Sequence, residues 1–108
     1  MKPDLSEEIQ ILAERQAAFF RVLGNPQRVL VLWLLAEKGR TANEIALAIG
    51  ASPQSTIHHL HVLGFNKLVE AWRELHSIYY HLVDNELTRD CLVFRNRPKD
   101  ILMEVTTI

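Results

Sequence analysis

The sequence predicts a mainly helical domain of the α+β class, in which four helices are followed by one small β-hairpin and a final helix. Two observations predict this arrangement. Capping signals begin a series of apolar segments with helical spacing, and from residue 68 the apolar pattern changes to that of β-strands. A length of 108 residues suits one domain with one modest core, so we expect a single unit spanning 1–108.

The first two predicted helices are separated by a turn at Gly24. Asp4, with Glu7 three residues later, resembles a capping box, and apolar residues follow at helical spacing as far as Gly24. Asn25-Pro26 then provides an N-cap and a first-turn proline for the second helix. From 29 to 36 this helix is apolar on nearly every side, which predicts a central, buried position.

The next two predicted helices are short and adjacent in the sequence. Thr41 and Glu44 form a capping box for the third helix, which Gly50 closes. Ser52-Pro53 begins the fourth helix, which we expect to run to about Leu63. Two helices joined by a tight turn are typical of a helix-turn-helix motif, here at about 41–63.

Two strand-like segments follow the helices. Residues 68–72 and 78–82 are rich in aliphatic and aromatic side chains, and they flank the polar stretch 73–77. This pattern predicts a two-stranded antiparallel hairpin over about 68–82, with its loop in the middle. A hairpin directly after a helix-turn-helix is the feature called a wing.

The final helix is expected to begin at Asp84 or Asn85 and to run towards Arg97, because Pro98 cannot continue it. The tail from 101 to 108 is apolar and β-prone, and the pattern assigns no element to it.

Composition limits the class of protein. Apolar residues make up 48% of the chain and charged residues 23%, as in an ordinary globular domain. The longest apolar run has eight residues, whereas a membrane span needs about 20, and the first residues lack the apolar stretch of a signal peptide. Cys91 is the single cysteine, so no internal disulfide can form. We therefore expect a cytoplasmic protein with no membrane partner. The net charge of −1 is not that of a strongly basic nucleic-acid binder.

Local motifs nevertheless match a known group of proteins. The residues that carry the match are Leu23–Arg28, Thr41–Ala46, Ser52-Pro53, His59–Leu63, Leu68-Val69 and Tyr79–Leu82. In these motifs, at their usual spacing and without gaps, the segment from Phe20 to Leu82 resembles the ArsR/SmtB family of bacterial and archaeal repressors. The resemblance implies a winged helix-turn-helix homodimer that binds an operator in double-stranded DNA and regulates transcription, with repression the expected effect.

The resemblance also implies which helices join the two copies. The first and last helices, at about 4–23 and 85–97, are expected to form the dimer contact. The apolar residues expected in that contact are Ile9, Leu12, Phe20, Leu87, Cys91 and Leu92. A two-fold axis could bring two copies of Cys91 together as a redox switch, although a free cysteine in an apolar stretch is usually buried and inert.

Periodicity leaves two solutions for the fourth helix, which would be the recognition helix. One solution buries Ile57, Leu60 and Gly64. The other buries Thr56, Leu60 and Leu63, and it exposes Pro53, Gln54, Ile57, His58 and His61. The resemblance favours the second, because the matching positions face the major groove. Gln54 would then pair with adenine, Ile57 would touch a thymine methyl group, and the two histidines would donate to bases or phosphates.

Cations are scarce around this helix. Arg73 is predicted at the hairpin tip, followed by His76, where a cation gains from contact with phosphate. From Thr41 to Leu82 the cations are Lys67 and Arg73 and the acids are Glu44, Glu70 and Glu74, a net of −1. Arg40, just outside this window, is expected to add positive charge to the DNA contact. All five histidines also lie in the window, so we expect DNA affinity to be higher at acid pH. Leu75 stands where the family often has glycine.

Other functions find less support. No cysteine pair lies at the third helix and no histidine follows His81, so neither of the family's metal-ligand sets can be completed, and we expect no metal and no cofactor. The sequence offers no glycine-rich phosphate loop and no nucleophile with a positioned base, so we do not expect an enzyme. The depleted positive charge favours one alternative, a winged-helix module that binds a protein and has no operator. The sequence does not identify an effector.

Overall fold

The computed structural model describes residues 3–99 and Ile101, apart from the side chain of Leu87, and it shows a mainly helical fold with a three-stranded antiparallel sheet. The remaining tail residues, 102–108, lie outside the described part of the chain. In chain order the elements are α1 (Glu7–Leu23), α2 (Pro26–Glu37), β1 (Arg40–Thr41), α3 (Ala42–Ile49), α4 (Pro53–Phe65), β2 (Val69–Glu74), β3 (Ser77–Leu82), α5 (Glu86–Arg89) and α6 (Leu92–Arg95).

Side-chain caps set most helix starts, as the sequence predicts, but the first start differs. Helix α1 begins after Ser6, whose Oγ accepts a hydrogen bond from the backbone N–H of Ile9 at 3.2 Å, so the expected cap at Asp4 is wrong. A serine hydroxyl directly before the first turn satisfies a free N–H there, which Asp4 lies too early to do. Asn25 caps α2, and the reciprocal capping box of Thr41 and Glu44 is present at α3.

The turn between α3 and α4 is built by Gly50 and Ser52. Gly50 has a left-handed backbone conformation, with φ of 68°, which a residue without a Cβ adopts at little cost. Ser52 then caps α4 through a bond from the N–H of Ser55 at 3.1 Å. Helix α4 continues to Phe65, two residues past the predicted end at Leu63.

The wing contains one strand more than the sequence predicts. Strand β1 pairs with β3, through Arg40 opposite Tyr80, and the sheet order is β1-β3-β2. A two-residue strand carries no periodic signal of its own, because its pairing depends on a partner forty residues later. The hairpin is also tighter than expected, since Glu74 pairs with Ser77 and only Leu75 and His76 form the tip. Arg73 therefore lies within β2 and not at the tip.

The core lies between α2, α3, α4 and the base of the hairpin. Its fully buried side chains include Leu32, Ile45, Leu60, Leu63 and Leu68. Helix α2 is central as predicted, with four buried residues along its length. Removing each such side chain from water contributes about 1.5–3 kcal/mol, so this cluster fixes α4 against the rest of the domain.

The expected single helix at 85–97 is wrong, because the chain breaks at Cys91. Cys91 has an extended backbone, with ψ of 133°, and separates α5 from α6. The indole N–H of Trp33 donates to the carbonyl of Val93 at 2.7 Å, and the next residue, Phe94, is buried. This bond holds α6 against α2, and the extended backbone of Cys91 directly before α6 is what interrupts the helix. Among the described residues, no helix is long and apolar enough to cross a membrane.

Candidate nucleic-acid interface

Helix α4 presents two distinct faces. Thr56, Leu60 and Leu63 are buried, whereas Gly64 is exposed, as the second periodicity solution requires. The exposed side chains are those of Pro53, Gln54, His58 and His61. The outer face of α4 is thus polar, and it combines an amide with two imidazoles.

Ile57 does not share this exposed face. It is half-buried and packs against the core cluster, which corrects the expectation that it is exposed. Ile57 lines a depression of about 430 Å³ between α4 and the wing. Asn43 and His76 line the same depression, and sequence reasoning did not single out Asn43. Its position between Thr41 and Glu44 of the capping box, in the first turn of α3, is the signal that the sequence offered.

His59, on the inner side of α4, anchors the helix to the start of α2. Its Nε2 lies 2.8 Å from Oε1 of Gln27, and the ring is buried. Burial, assisted by the positive charge of Arg28 and by His58, holds the pKa of His59 below its ordinary value. His59 is therefore neutral at pH 7, with Nε2 as the donor to the Gln27 carbonyl oxygen. Two of the helices that carry the core are joined by this bond.

The outer face of the wing is aromatic and acidic. The rings of Trp72 and His81 stack with centroids 3.8 Å apart. The indole N–H of Trp72 donates to Oε1 of Glu74 at 2.7 Å, and the same carboxylate lies 3.5 Å from Nε2 of His81. Glu70, opposite His81 in the register, adds a second carboxylate to this face. Because side chains alternate along a strand, Arg73 and its neighbour Ile78 occupy the other face.

The tip of the wing is formed by an exposed apolar residue. Leu75 is 93% exposed, and it has a positive φ of 56°. His76, the other tip residue, is exposed and lines the depression beside α4. The tip thus stands next to α4, as the two halves of a DNA-reading surface require.

Arg40 does not belong to this surface, contrary to the expectation from sequence. Its side chain is buried, and its guanidinium contacts the carboxylate of Glu37 at 2.9 Å and the carbonyl of Leu34 at 3.4 Å. Its charge is neutralised inside the domain, because the end of α2 supplies both acceptors. Between Thr41 and Leu82, the described cationic side chains are therefore those of Arg73 and Lys67, both exposed, together with any protonated histidine.

The expected dimer contact forms an exposed apolar surface on α1 and α6. Ile9 and Leu12 are about half exposed, and Phe20 and Leu92 are exposed by 63% and 66%. Phe20, Leu92 and the half-buried Cys91 line a depression of about 510 Å³ between the two helices. The remaining expected contact residue is Leu87, whose side chain lies outside the described residues. Such a large apolar area on one side of a small domain is typical of an interaction surface.

The described part of the chain holds no group of three or more His, Cys, Asp or Glu side chains that could bind a metal ion. The structure therefore offers no candidate metal centre within those residues.

Comparison with known proteins gives consistent matches to transcriptional regulators. No family model matches the chain. Among curated proteins, the HTH-type transcriptional regulator KmtR of Mycobacterium tuberculosis is 36% identical over 74 residues, which cover 68% of this chain and 56% of KmtR. The chain thus spans little more than half the length of that relative.

Solved structures agree in fold and in sequence. The crystal structure of NolR from Sinorhizobium fredii superposes with a TM-score of 0.72 and 32% identity, covering 79% of this chain and 84% of NolR. The solution structure of the homodimeric winged helix-turn-helix DNA-binding domain of Mb0332 from Mycobacterium bovis, a possible ArsR-family transcriptional regulator, gives a TM-score of 0.62 and 31% identity over 75% of each chain. The predicted winged helix-turn-helix fold is confirmed, apart from its single C-terminal helix, and the chain belongs to the ArsR/SmtB family of winged helix-turn-helix transcriptional regulators.

Proposed function

We propose that the protein is a homodimeric regulator, most simply a repressor, that binds a specific operator in double-stranded DNA. One observation carries the proposal. The outer face of α4 exposes Gln54, His58 and His61, while the inner face is fixed in the core. Rigid support with polar side chains pointing outwards is what a recognition helix needs to read base edges in the major groove.

Each exposed side chain has a defined role in this proposal. Gln54, in the first turn of α4, donates and accepts through one amide, which matches the N6 and N7 groups of adenine. His58 and His61 donate to base edges or phosphates, and Pro53 packs against the sugar–phosphate backbone. Ile57, half-buried, offers only part of its side chain to a thymine methyl group.

The wing supplies the contacts that do not depend on sequence. Arg73 lies on the face of the hairpin opposite the acidic one. Its guanidinium can therefore contact a phosphate that is kept away from the carboxylate of Glu74, which would repel it. His76 at the tip contacts the adjacent backbone. These contacts fix the position of α4 on the duplex, and they carry no base information themselves.

A dimer presents two such surfaces. The apolar faces of α1 and α6, with Phe20 and Leu92 most exposed, are the surface that a second copy would cover. Two recognition helices about 34–36 Å apart would then contact successive turns of the major groove on one side of the duplex. The mycobacterial relative of known structure is described as homodimeric, which supports this arrangement. A regulator acting on bacterial or archaeal DNA would work in the cytoplasm.

A mobility-shift assay with random-sequence duplex at low salt tests the proposal, with the mass of the free protein measured by light scattering. We expect a dimer that shifts the duplex, because non-specific binding is electrostatic. Arg73→Ala should weaken this shift. Arg89→Ala, which changes the net charge equally at a residue paired with Asp84, is the matched control and should not.

The net charge of −1 between Thr41 and Leu82 favours a second candidate, a winged-helix module that binds another protein. A monomer, or the absence of any shift at low salt, would support that candidate and contradict the operator proposal.

A further inference from the structure

The tip of the wing has a conformation that its own residue disfavours. Leu75 adopts a φ of 56°, in the left-handed region where glycine, asparagine and aspartate are the usual residues. It is also 93% exposed, so its side chain contributes nothing to the core. A leucine in this position therefore makes the isolated domain less stable than a glycine or asparagine would, which points to a role outside the folding of the domain.

The surroundings of Leu75 indicate what it can touch. The nearest exposed apolar residues of the hairpin are Trp72 and Ile78, but these lie on opposite faces of the sheet. Leu75 is consequently an isolated apolar point and not part of a flat patch that could bury a protein surface. A single exposed leucine of this kind fits a narrow groove on a partner, in which only one side chain is buried.

Charge orients the tip towards DNA. Glu70 and Glu74 make the outer face of the wing acidic, whereas Arg73 lies on the other face. His76, directly after Leu75, borders the depression shared with Ile57 of α4. The wing can therefore approach phosphates only by its tip and by the face that carries Arg73. In this orientation Leu75, at the tip, is the residue nearest to the DNA.

We propose that Leu75 enters the minor groove beside the half-site read by α4 and contacts the base pairs there as an apolar wedge. This inference rests on the proposed DNA binding. A wedge of this kind partly unstacks a base step and bends the duplex, and it favours steps that deform easily, such as TA or CA. Leu75 is thus a specificity-determining residue for the sequence flanking the half-site, where polar side chains make no base contact.

Three proteins test the wedge: wild type, Leu75→Asn and Leu75→Met. The probes are a duplex selected by the wild-type protein from a random library, and the same duplex with its flanking pyrimidine–purine steps replaced by AA. DNA bending is measured by fluorescence energy transfer between the duplex ends, and affinity is measured by anisotropy. Asparagine accepts a positive φ but removes the apolar group, whereas methionine keeps an apolar group.

We expect Leu75→Asn to lose the bend and to weaken binding of the selected duplex on the order of fivefold to tenfold, while its Tm is unchanged or higher. Leu75→Met should keep both the bend and the affinity. The wild-type protein and Leu75→Met should both bind the duplex with AA flanks more weakly than the selected duplex, whereas Leu75→Asn should not distinguish the two. Equal bending and affinity for wild type and Leu75→Asn would overturn the wedge, as would a change in dimer mass on substitution, which would place the tip between two copies. If the wild-type protein selects no duplex at all, the proposed function fails and not only the wedge.

Discussion

The exposed histidines predict that DNA affinity depends on pH. His58, His61 and His76 are exposed beside the proposed DNA surface, while His59 is buried and His81 is stacked against Trp72. Protonation of the three exposed imidazoles adds three charges and moves the segment from Thr41 to Leu82 from −1 to +2. The negative charge of a nearby phosphate favours the protonated form of an imidazole over the neutral form. Affinity should therefore rise from pH 8 to pH 6.

The size of this effect follows from the number of contacts. An exposed ion pair contributes about 0.5 kcal/mol, so six histidines in a dimer would contribute about 3 kcal/mol, on the order of a hundredfold in affinity. Each protonated histidine beside a phosphate would also steepen the dependence of log K on log salt by up to about 0.9. The predicted signature is thus a stronger and more salt-sensitive complex at pH 6.

Anisotropy titrations at pH 6, 7 and 8, at constant ionic strength, measure the effect. The triple variant His58→Gln/His61→Gln/His76→Gln should lose the pH dependence, and His81→Gln is the control that should keep it. A flat profile for the wild-type protein would refute the reasoning, because the histidines would then bind as neutral donors. The reasoning would also be refuted if the affinity of the triple variant depended on pH as steeply as that of the wild-type protein.

The folded state responds to pH with the opposite sign. The pKa of His59 is lowered in the folded protein, so the unfolded chain binds its proton at higher pH than the folded chain does. The stability associated with neutral His59 is complete above about pH 6.5 and is lost as pH falls through the lowered pKa of the folded state. Thermal melting at each pH therefore has to accompany the titrations, and the Tm of His59→Gln should vary less with pH than that of wild type.

Three further predictions concern single contacts. Gln54→Ala should weaken operator binding by about 1–3 kcal/mol per half-site and relax the preference at one base pair, with Tm unchanged, whereas Arg73→Ala should weaken operator and random duplex alike; anisotropy on both duplexes separates the two. Leu60→Ala should destabilise the fold by about 2–5 kcal/mol in urea unfolding, because the side chain is buried in the core that supports α4. Trp33→Phe should cost roughly 1–2 kcal/mol, because the carbonyl of Val93 loses its donor; an unchanged unfolding midpoint would show that this bond does not hold α6.

Much of the fold could be predicted because its signals are local. Caps such as Asn25 and the Thr41–Glu44 pair satisfy backbone groups within one turn, so residue type alone marks where α2 and α3 begin. The change of period after α4 likewise indicates the hairpin without any long-range information.

The features that the sequence did not predict depend on tertiary packing. Strand β1 exists because β3 pairs with it, and α6, the part of the last helix that follows the break at Cys91, is held against α2 by a bond from Trp33, sixty residues earlier, to the carbonyl of Val93. Arg40 is a cation in the sequence, but Glu37 and the end of α2 neutralise it in the fold. The partners of β1 and α6 lie forty to sixty residues away, and the burial of Arg40 beside the nearby Glu37 depends on how the end of α2 packs. The sequence therefore predicted a site on α4 and the wing, but it did not show which of the candidate side chains are exposed.

The most direct test of the central claim is the ratio of two affinities. Sequences selected from a random duplex library by the wild-type dimer should contain two inverted half-sites about 10 base pairs apart, centre to centre. At physiological salt, the selected duplex should bind at least about a thousandfold more tightly than random duplex. The triple variant Gln54→Ala/His58→Ala/His61→Ala should lose most of this ratio, because it weakens binding to the selected duplex much more than binding to random DNA. A selection that enriches no sequence, or a ratio near one for the wild-type protein, would contradict operator recognition by α4.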